Sequence, residues 1–446
     1  MEKAYLFSKI DLRKLVIPLI IEQALAITVG MVDTIMVAGV GEDAVSGVAL
    51  VDSVNILLIA LFTALGTGGA VVAGQYLGLK ELKNANHAAK QLVIAAFLLS
   101  VAVMAACLLL NRQILSGVFG RVEPVVMGHA QTYFYVTALS YPFIAVFNAA
   151  AALFRGMGDS KTPMQNALIM NVVNIIGNAV FIYAMDMGVA GAALSTLLSR
   201  ALACVAMLFM LRNQKREISV RSYHPKDIDF PMIRRILKIG IPNGLENSMF
   251  QIGKIVVTSL VALQGTAAIA AHAVSNSLAL VEIIPGAAVG LAILSVVARC
   301  VGAGEYKQAE YYTKYLMKRA YLYMAVLNVA MLAFMQPILS VYQLSSDTLS
   351  MALEIMVMHG LCAIAIWPLS FTLPNALRAA GDVKNTMVIS VVSMWVFRIV
   401  LSYVFVYLFH MGVFGIWVAM IVDWVFRSAL FTARWRSGKW KDFAVV

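Results

Sequence analysis

Runs of about 20 mostly apolar residues recur from one end of the chain to the other, each long enough to cross a hydrocarbon core about 30 Å thick. Twelve can be counted, at roughly 14–39, 44–78, 88–110, 125–154, 163–185, 188–211, 236–263, 267–301, 315–335, 350–377, 386–408 and 412–433. The mean hydropathy of +0.84 is far too high for a soluble fold. Only 13% of the 446 residues are charged, about half the roughly 25% of soluble domains. The expected fold class is therefore an all-α integral membrane protein with twelve transmembrane helices.

The last six spans copy the first six. Laying residue n on residue n + 224 puts Ile17-Pro18 and Glu22 on Ile241-Pro242 and Glu246, and Gly41 on Gly265. It also puts Gly66, Gly78 and Lys83 on Gly290, Gly302 and Lys307, and Met187-Gly188-Val189 on Met411-Gly412-Val413. One residue out of step, Arg155, Gly158, Asp159 and Lys161 reappear as Arg378, Gly381, Asp382 and Lys384. A duplication this long in an apolar chain implies two pseudo-symmetric six-helix lobes with something held between them. The expected domains are an N-lobe over 1–211, a polar linker over 212–235 and a C-lobe over 236–446.

The net charge of +11 reads as topology and not as a nucleic-acid footprint. With the N-terminus placed in the cytoplasm, nearly all loop Lys and Arg fall on that side, from Lys3 to Lys14, Lys80 to Lys90 and Arg212 to Lys238 in the first half. Only Arg112 and Arg121 fall in loops placed outside. This is the positive-inside pattern, with both termini cytoplasmic and the protein in a plasma membrane, the bacterial inner membrane. Cys107, Cys204, Cys300 and Cys362 sit inside apolar spans without metal-ligand spacing and are read as packing residues. No cleavable signal peptide is expected, because the first apolar run contains Glu22 and Asp33 and leads directly into the duplicated unit. Residues 1–13 resemble a short interfacial amphipathic stretch, and Pro225 and Pro231 suit a cytoplasmic linker.

Engines and catalysts are excluded by what the chain lacks. The stretch from Gly156 to Thr162 has no Gly just before Lys161 and follows no buried strand, so it is not a phosphate-cradling loop. No paired carboxylates, Ser/His/Asp set or metal cluster stands out in the loops, and His224 is alone in the linker. An enzyme is not expected, nor is any cofactor.

Ionisable groups inside apolar spans are costly and mark function by default. Asp33 lies about six residues short of the outer end of span 1, Asn178 about seven from the outer end of span 5, and Thr196 about eight into span 6. Asn174 is one helical turn from Asn178. At roughly 1.5 Å per residue, Asp33, Asn178 and Thr196 share one depth. This set offers oxygen ligands for a desolvated Na⁺, or a carboxyl able to take up a proton; the asparagines alone would read as interhelical hydrogen-bond glue. The second half does not repeat the set, since Val257, Arg398 and Met420 occupy the corresponding positions. Arg398 and Asp423 share a depth on adjacent antiparallel spans and are expected to form a structural pair. Glu22 and Glu246 each follow a Pro by four residues near mid-membrane. Glu246, Glu282 and Lys254 are expected to cluster by depth, and with Glu22 they are candidates for a substrate cavity or for structural pairing.

Together these residues resemble the multidrug and toxic compound extrusion family, within the multidrug/oligosaccharidyl-lipid/polysaccharide exporter superfamily, over essentially the whole chain. The resemblance is carried by Pro18, by Val32 through Gly39, by Gly66 through Leu79, by Leu153-Phe154-Arg155-Gly156 with Gly158-Asp159, and by Ala270-Ala271-His272. Asn174, Asn178 and Thr196 complete it. It implies two lobes in a V shape and export of organic, often cationic, compounds in exchange for H⁺ or Na⁺. Asp33, Asn174, Asn178 and Thr196 match the N-lobe cation site of prokaryotic members, and would be the metal ligands if the ion is Na⁺. Some members carry Asp where this chain has Asn178, so the site here neutralises one unit of charge at a time. Members with a C-lobe cation site place one acid near Phe250 and another where this chain has Trp367 and Pro368, so that second site is not expected.

The leading expectation is a cation-coupled antiporter for small organic substrates, working in contact with membrane lipids, without nucleic acid and as a monomer. The alternative is a flippase for lipid-linked oligosaccharides, which would show a more cationic central cavity. A receptor or scaffold would need an extramembrane domain, and a passive channel does not need a two-lobe duplication.

Overall fold

In a computed structural model, residues 5–120, 122–223 and 227–446 are described. Lys3, Arg121, His224 and Pro225, which the sequence places in terminal or loop segments, lie outside the described residues. The described residues form helices and connecting turns, with no strand among them. Ten of the helices are long and apolar enough to cross a bilayer, or eleven if one bent pair counts as a single span.

The first half runs α1 (Lys9–Ala38), α2 (Glu42–Gly78), α3 (Leu82–Leu109), α4 (Asn111–Phe119), α5 (Pro124–Ala138), α6 (Tyr141–Gly156), α7 (Lys161–Asn178) and α8 (Gly188–Leu211). The second half runs α9 (Phe230–Ala262), α10 (Thr266–Glu282), α11 (Ile284–Gly302), α12 (Tyr306–Ala333), α13 (Met335–Ser340) and α14 (Ser346–Ala365). It ends with α15 (Pro374–Ala379), α16 (Val383–Val392), α17 (Leu401–Tyr403) and α18 (Gly412–Arg436). Among the expected spans that differ in form, three do so for a visible reason. Expected span 125–154 bends by 50° between α5 and α6, where Pro142 removes a helical donor. Expected span 267–301 breaks at Ile283, just before Pro285, into α10 and α11. Helix α9 forms over 33 residues, but Asn243, Glu246, Asn247, Gln251 and Lys254 dilute its apolar character.

The duplication is visible in the backbone. Gly41 and Gly265 both turn the chain with positive φ, 140° and 97°, into the next helix. Asp186 and His410 share φ near 54°, at 53° and 55°, immediately after π-helical segments at Ala179–Ala184 and Val404–Leu408. A non-Gly residue in that region is strained, and its repetition at matching places ties it to the repeat rather than to chance.

The chain forms two compact units, Arg13–Gly244 in one and Met1–Leu12 with Leu245–Val446 in the other. The division therefore falls inside α9, where the sequence places it in the segment 212–235. That segment is strapped to the first unit. Ser219 N–H donates to Asn86 Oδ1 at 2.7 Å, Asp229 N–H to Gln91 Oε1 at 3.0 Å, and Ile218 and Val220 are buried. The amphipathic N-terminus is likewise docked within its unit. Leu6 and Phe7 N–H donate to Gln308 Oε1 and the Tyr312 hydroxyl of α12 at 2.9 and 2.8 Å. Ser8 and Asp11 then form a reciprocal cap that starts α1, with Ser8 N–H to Asp11 Oδ2 at 2.9 Å and Asp11 N–H to Ser8 Oγ at 3.1 Å.

Candidate ion-coupling site and intramembrane charge pairs

Helices α7 and α8 touch closely because of one glycine. A Cβ on Gly177 would lie 2.4 Å from Ser195 Oγ, so only Gly permits this approach without a shift. Ser195 Oγ donates to the Asn174 carbonyl at 2.6 Å, and the next residue, Thr196, faces the Asn174 amide. Asn174 Nδ2 donates to Thr196 Oγ1 at 3.3 Å; Asn178 Nδ2 donates to Asn174 Oδ1 at 3.4 Å and to Asp33 Oδ1 at 2.6 Å. The three residues matched by depth in the sequence, with Asn174 one turn from Asn178, thus form one hydrogen-bonded chain across α1, α7 and α8. Asn178 is 1% exposed, and its Oδ1 has no hydrogen-bond partner among the described residues. An orphaned carbonyl oxygen in apolar surroundings is costly, and beside a carboxylate it has the chemistry of a ligand for a hard monovalent cation.

The structure adds residues that the sequence-derived set lacks. Asp52 of α2 interacts electrostatically with Asp33, and Arg200 of α8 acts on both. Tyr133 of α5 interacts with the side chains of Asp52 and Thr196. Asp52 Oδ1 accepts from Asn55 Nδ2 at 3.2 Å, Asn55 Oδ1 accepts from the Tyr141 hydroxyl at 2.7 Å, and Arg200 Nη1 donates to Ser140 Oγ at 2.8 Å. One cation, Arg200, therefore acts on two carboxylates. The sequence signal was available: Asp52 sits about eight residues into a span that begins on the same side where span 1 ends.

Four further intramembrane acids, Glu22, Glu246, Glu282 and Asp423, form pairs, and one expected cluster is corrected. Glu22, for which the sequence offers no cation, meets Arg155 Nη1 at 3.0 Å. Its repeat partner Glu246 meets Arg378 Nη2 at 2.6 Å, with Arg427 Nη2 at 3.7 Å. The pair is thus duplicated like its members. The expected Glu246–Lys254–Glu282 cluster does not form. Eight helical residues separate Glu246 from Lys254, a rise of about 12 Å and too far for direct pairing; Glu282 instead meets His359 Nδ1. Lys254 has no ion pair among the described residues, and its ammonium lies 5.4 Å from the Phe250 ring centre. Arg398 Nη2 lies 2.7 Å from Asp423 Oδ2, in the buried pair of α18 and the α16–α17 segment.

Two loop carboxylates are held below their ordinary range. Burial alone would raise Asp159, but the Thr162 hydroxyl, Arg216 and the Thr162 N–H outweigh it and lower it; Thr162 N–H donates to Oδ1 at 3.0 Å. Asp229 is lowered chiefly by His87, whose Nε2 lies 2.7 Å from Oδ2. Both sit on connections that the repeat copies or the second half begins from.

Comparison with known proteins shows the family and the fold. The MatE family model matches residues 18–180 and again 242–404, two copies with the same 224-residue offset as the sequence repeat. The chain is 27% identical over 433 residues to the uncharacterized transporter YisQ of Bacillus subtilis, covering 95% of this chain and 93% of that one. It is 26% identical over 444 residues to the probable multidrug resistance protein NorM of Thermotoga maritima, covering 98% and 94%. The fold matches a solved outward-facing multidrug resistance MATE family transporter of the MOP superfamily with a TM-score of 0.89, at 20% identity over 97% of this chain and 96% of that chain. The same fold recurs at a TM-score of 0.87, with the same identity and coverage, in a MOP superfamily transporter of Pyrococcus furiosus described as having a binding pocket of reversed polarity. The chain is a multi-pass membrane protein and belongs to the MatE family of multidrug-efflux transporters.

Proposed function

We propose that this protein is an antiporter that exports small organic compounds across a bacterial inner membrane in exchange for a monovalent cation, H⁺ or Na⁺. The supporting observation is the chain Asp33–Asn178–Asn174–Thr196, which places one carboxylate and an unpartnered amide oxygen together in apolar surroundings. An inward-moving cation neutralises Asp33, and the α1–α7 contact through Asn178 loses its charge-assisted character. That contact links the ion to the position of α1, whose Pro18 already interrupts the helical hydrogen bonds. Alternating access follows when the two states of α1 bind substrate unequally. Both termini lie in the cytoplasm, on the side where basic loops are retained, and the monomer is the working form.

The test is efflux from proteoliposomes under an imposed pH gradient or an imposed Na⁺ gradient, using a fluorescent organic cation and a fluorescent organic anion. Export that follows one gradient and disappears in Asp33→Asn, with the variant still inserted and folded, is the expected result. Full export by Asp33→Asn would remove Asp33 from the mechanism. Movement of lipid-linked oligosaccharide, with neither dye exported, would select the flippase reading.

A further inference from the structure

Within the second unit lies a cavity of about 190 Å³ that the coupling chain does not use, walled by Phe250, Trp367, Phe371, Trp417 and Trp424. A smaller space of about 80 Å³ shares Lys254, Asn276, Arg398, Trp417 and Met420 with it. The ionisable residues lining the two spaces are Lys254, Arg398, His272 and His359, with no carboxylate among them. The aromatic walls alone would suit an organic cation, but Lys254 and Arg398 in the same lining repel one.

The neighbouring charges leave Lys254 over. Asp423 answers Arg398, Glu246 answers Arg378 with Arg427 nearby, and Glu282 answers His359. Lys254 has no such partner among the described residues, yet it, Arg398 and Arg427 converge on one ring, 5.4, 5.0 and 5.9 Å from the centre of Phe250. Cations gathered around one ring repel each other, and the aromatic quadrupole offsets only part of that cost. His272 accepts the Trp417 indole N–H at Nδ1, at 3.2 Å, so it adds no further positive charge in this arrangement. The Trp424 indole N–H is buried without a partner among the described residues, which leaves one further donor in the lining.

We infer that this cavity binds an organic anion, a single-ring aromatic carboxylate, with the carboxylate on Lys254 and Arg398 and the ring among Phe250, Trp417 and Trp424. The anion supplies the counter-charge that Lys254 lacks, and the ring gains edge-to-face and stacked contacts with the walls. A cavity of roughly 150 Å³ already holds benzene, so the volume suits one ring with its substituent. Lysine serves here as a mobile point charge, whereas Arg398 is held in place by Asp423. The inference rests on the exporter reading for the site's purpose, but its binding selectivity is measured without any gradient.

Benzoate, benzamide and benzyltrimethylammonium are titrated into purified protein in detergent by calorimetry, with dioctanoyl phosphatidic acid as competitor. Benzoate is expected to bind at least roughly tenfold tighter than benzamide, the effect of one charge-assisted contact. Lys254→Met should erase that preference, and Lys254→Arg should restore most of it. Equal affinities for benzoate and benzamide, or a preference for benzyltrimethylammonium, would overturn the inference. So would a benzoate preference that survives Lys254→Met. Phosphatidic acid that displaces nothing supports an aromatic site; phosphatidic acid that binds while benzoate does not assigns the cations to lipid and also overturns it. Since the wild-type comparison is decisive alone, poor folding of Lys254→Met leaves the test intact. Loss of coupled export in proteoliposomes with benzoate selectivity retained would count against the antiporter alone, not against this site.

Discussion

Glu22 and Arg155 lend themselves to a quantitative test because the repeat supplies a built-in comparison. Glu22 Oε1 lies 3.0 Å from Arg155 Nη1, and the side chains are only 11% and 13% exposed. At an effective dielectric constant near 20, such a pair attracts by about 4 kcal/mol, while removing one partner of a buried pair costs about 3–5 kcal/mol because the other charge is stranded. At roughly 2–4 °C per kcal/mol for units of this size, Glu22→Gln should lower the melting temperature by about 6–20 °C. Glu246→Gln should cost more, since it strands Arg378 at 2.6 Å and Arg427 at 3.7 Å together. The assay is thermal unfolding of purified protein in one detergent at one scan rate, followed by intrinsic fluorescence. The double variant Glu22→Gln/Arg155→Met should recover part of the loss, with a coupling energy of about 1–3 kcal/mol. Strict additivity, or a Glu246→Gln loss no larger than that of Glu22→Gln, would refute the reasoning that stranded cations set the cost.

Other outcomes follow from the same geometry. Gly177→Ala places a methyl 2.4 Å from Ser195 Oγ, so it should weaken cation-driven export several-fold, and Ser195→Ala in the same chain should restore part of it. Asn178→Asp adds another carboxylate to the pair Asp33 and Asp52, which should raise the affinity for Na⁺ over that of wild type in a titration of Na⁺-dependent efflux. Asp159 and Asp229 are held below the ordinary carboxylate range. Their stabilisation is therefore complete above about pH 4 and is lost as the pH falls through their lowered values. Melting curves from pH 6 to pH 3 should accordingly show a shallower acid limb in Asp159→Asn than in wild type.

Depth along a helix was legible in the sequence, and direction around it was not. Counting residues from span ends brought Asp33, Asn178 and Thr196 to one level, and the structure links them because α7 and α8 touch at Gly177 and Ser195. The same counting grouped Glu246, Lys254 and Glu282, but level alone says nothing about which neighbour each side chain faces, and each of the two acids found a different cation. Spans of continuous helix were readable from apolar length, whereas the breaks at Leu139-Ser140 and Ile283 depend on Pro142 and Pro285, whose effect is local and small in a hydropathy profile. A stronger signal lay in the repeat itself. Glu22 and Arg155 are copied together as Glu246 and Arg378, while Asp33, Asn174 and Thr196 are replaced by Val257, Arg398 and Met420. Residues that duplicate jointly are those that hold each half together, and here they form the same ion pair twice. Residues that diverge between the halves are free to specialise: one half keeps the intramembrane carboxylate Asp33, and the other has Val257 at that position and a cation-lined aromatic cavity. In a chain built from two copies, it is the broken symmetry that separates function from scaffold.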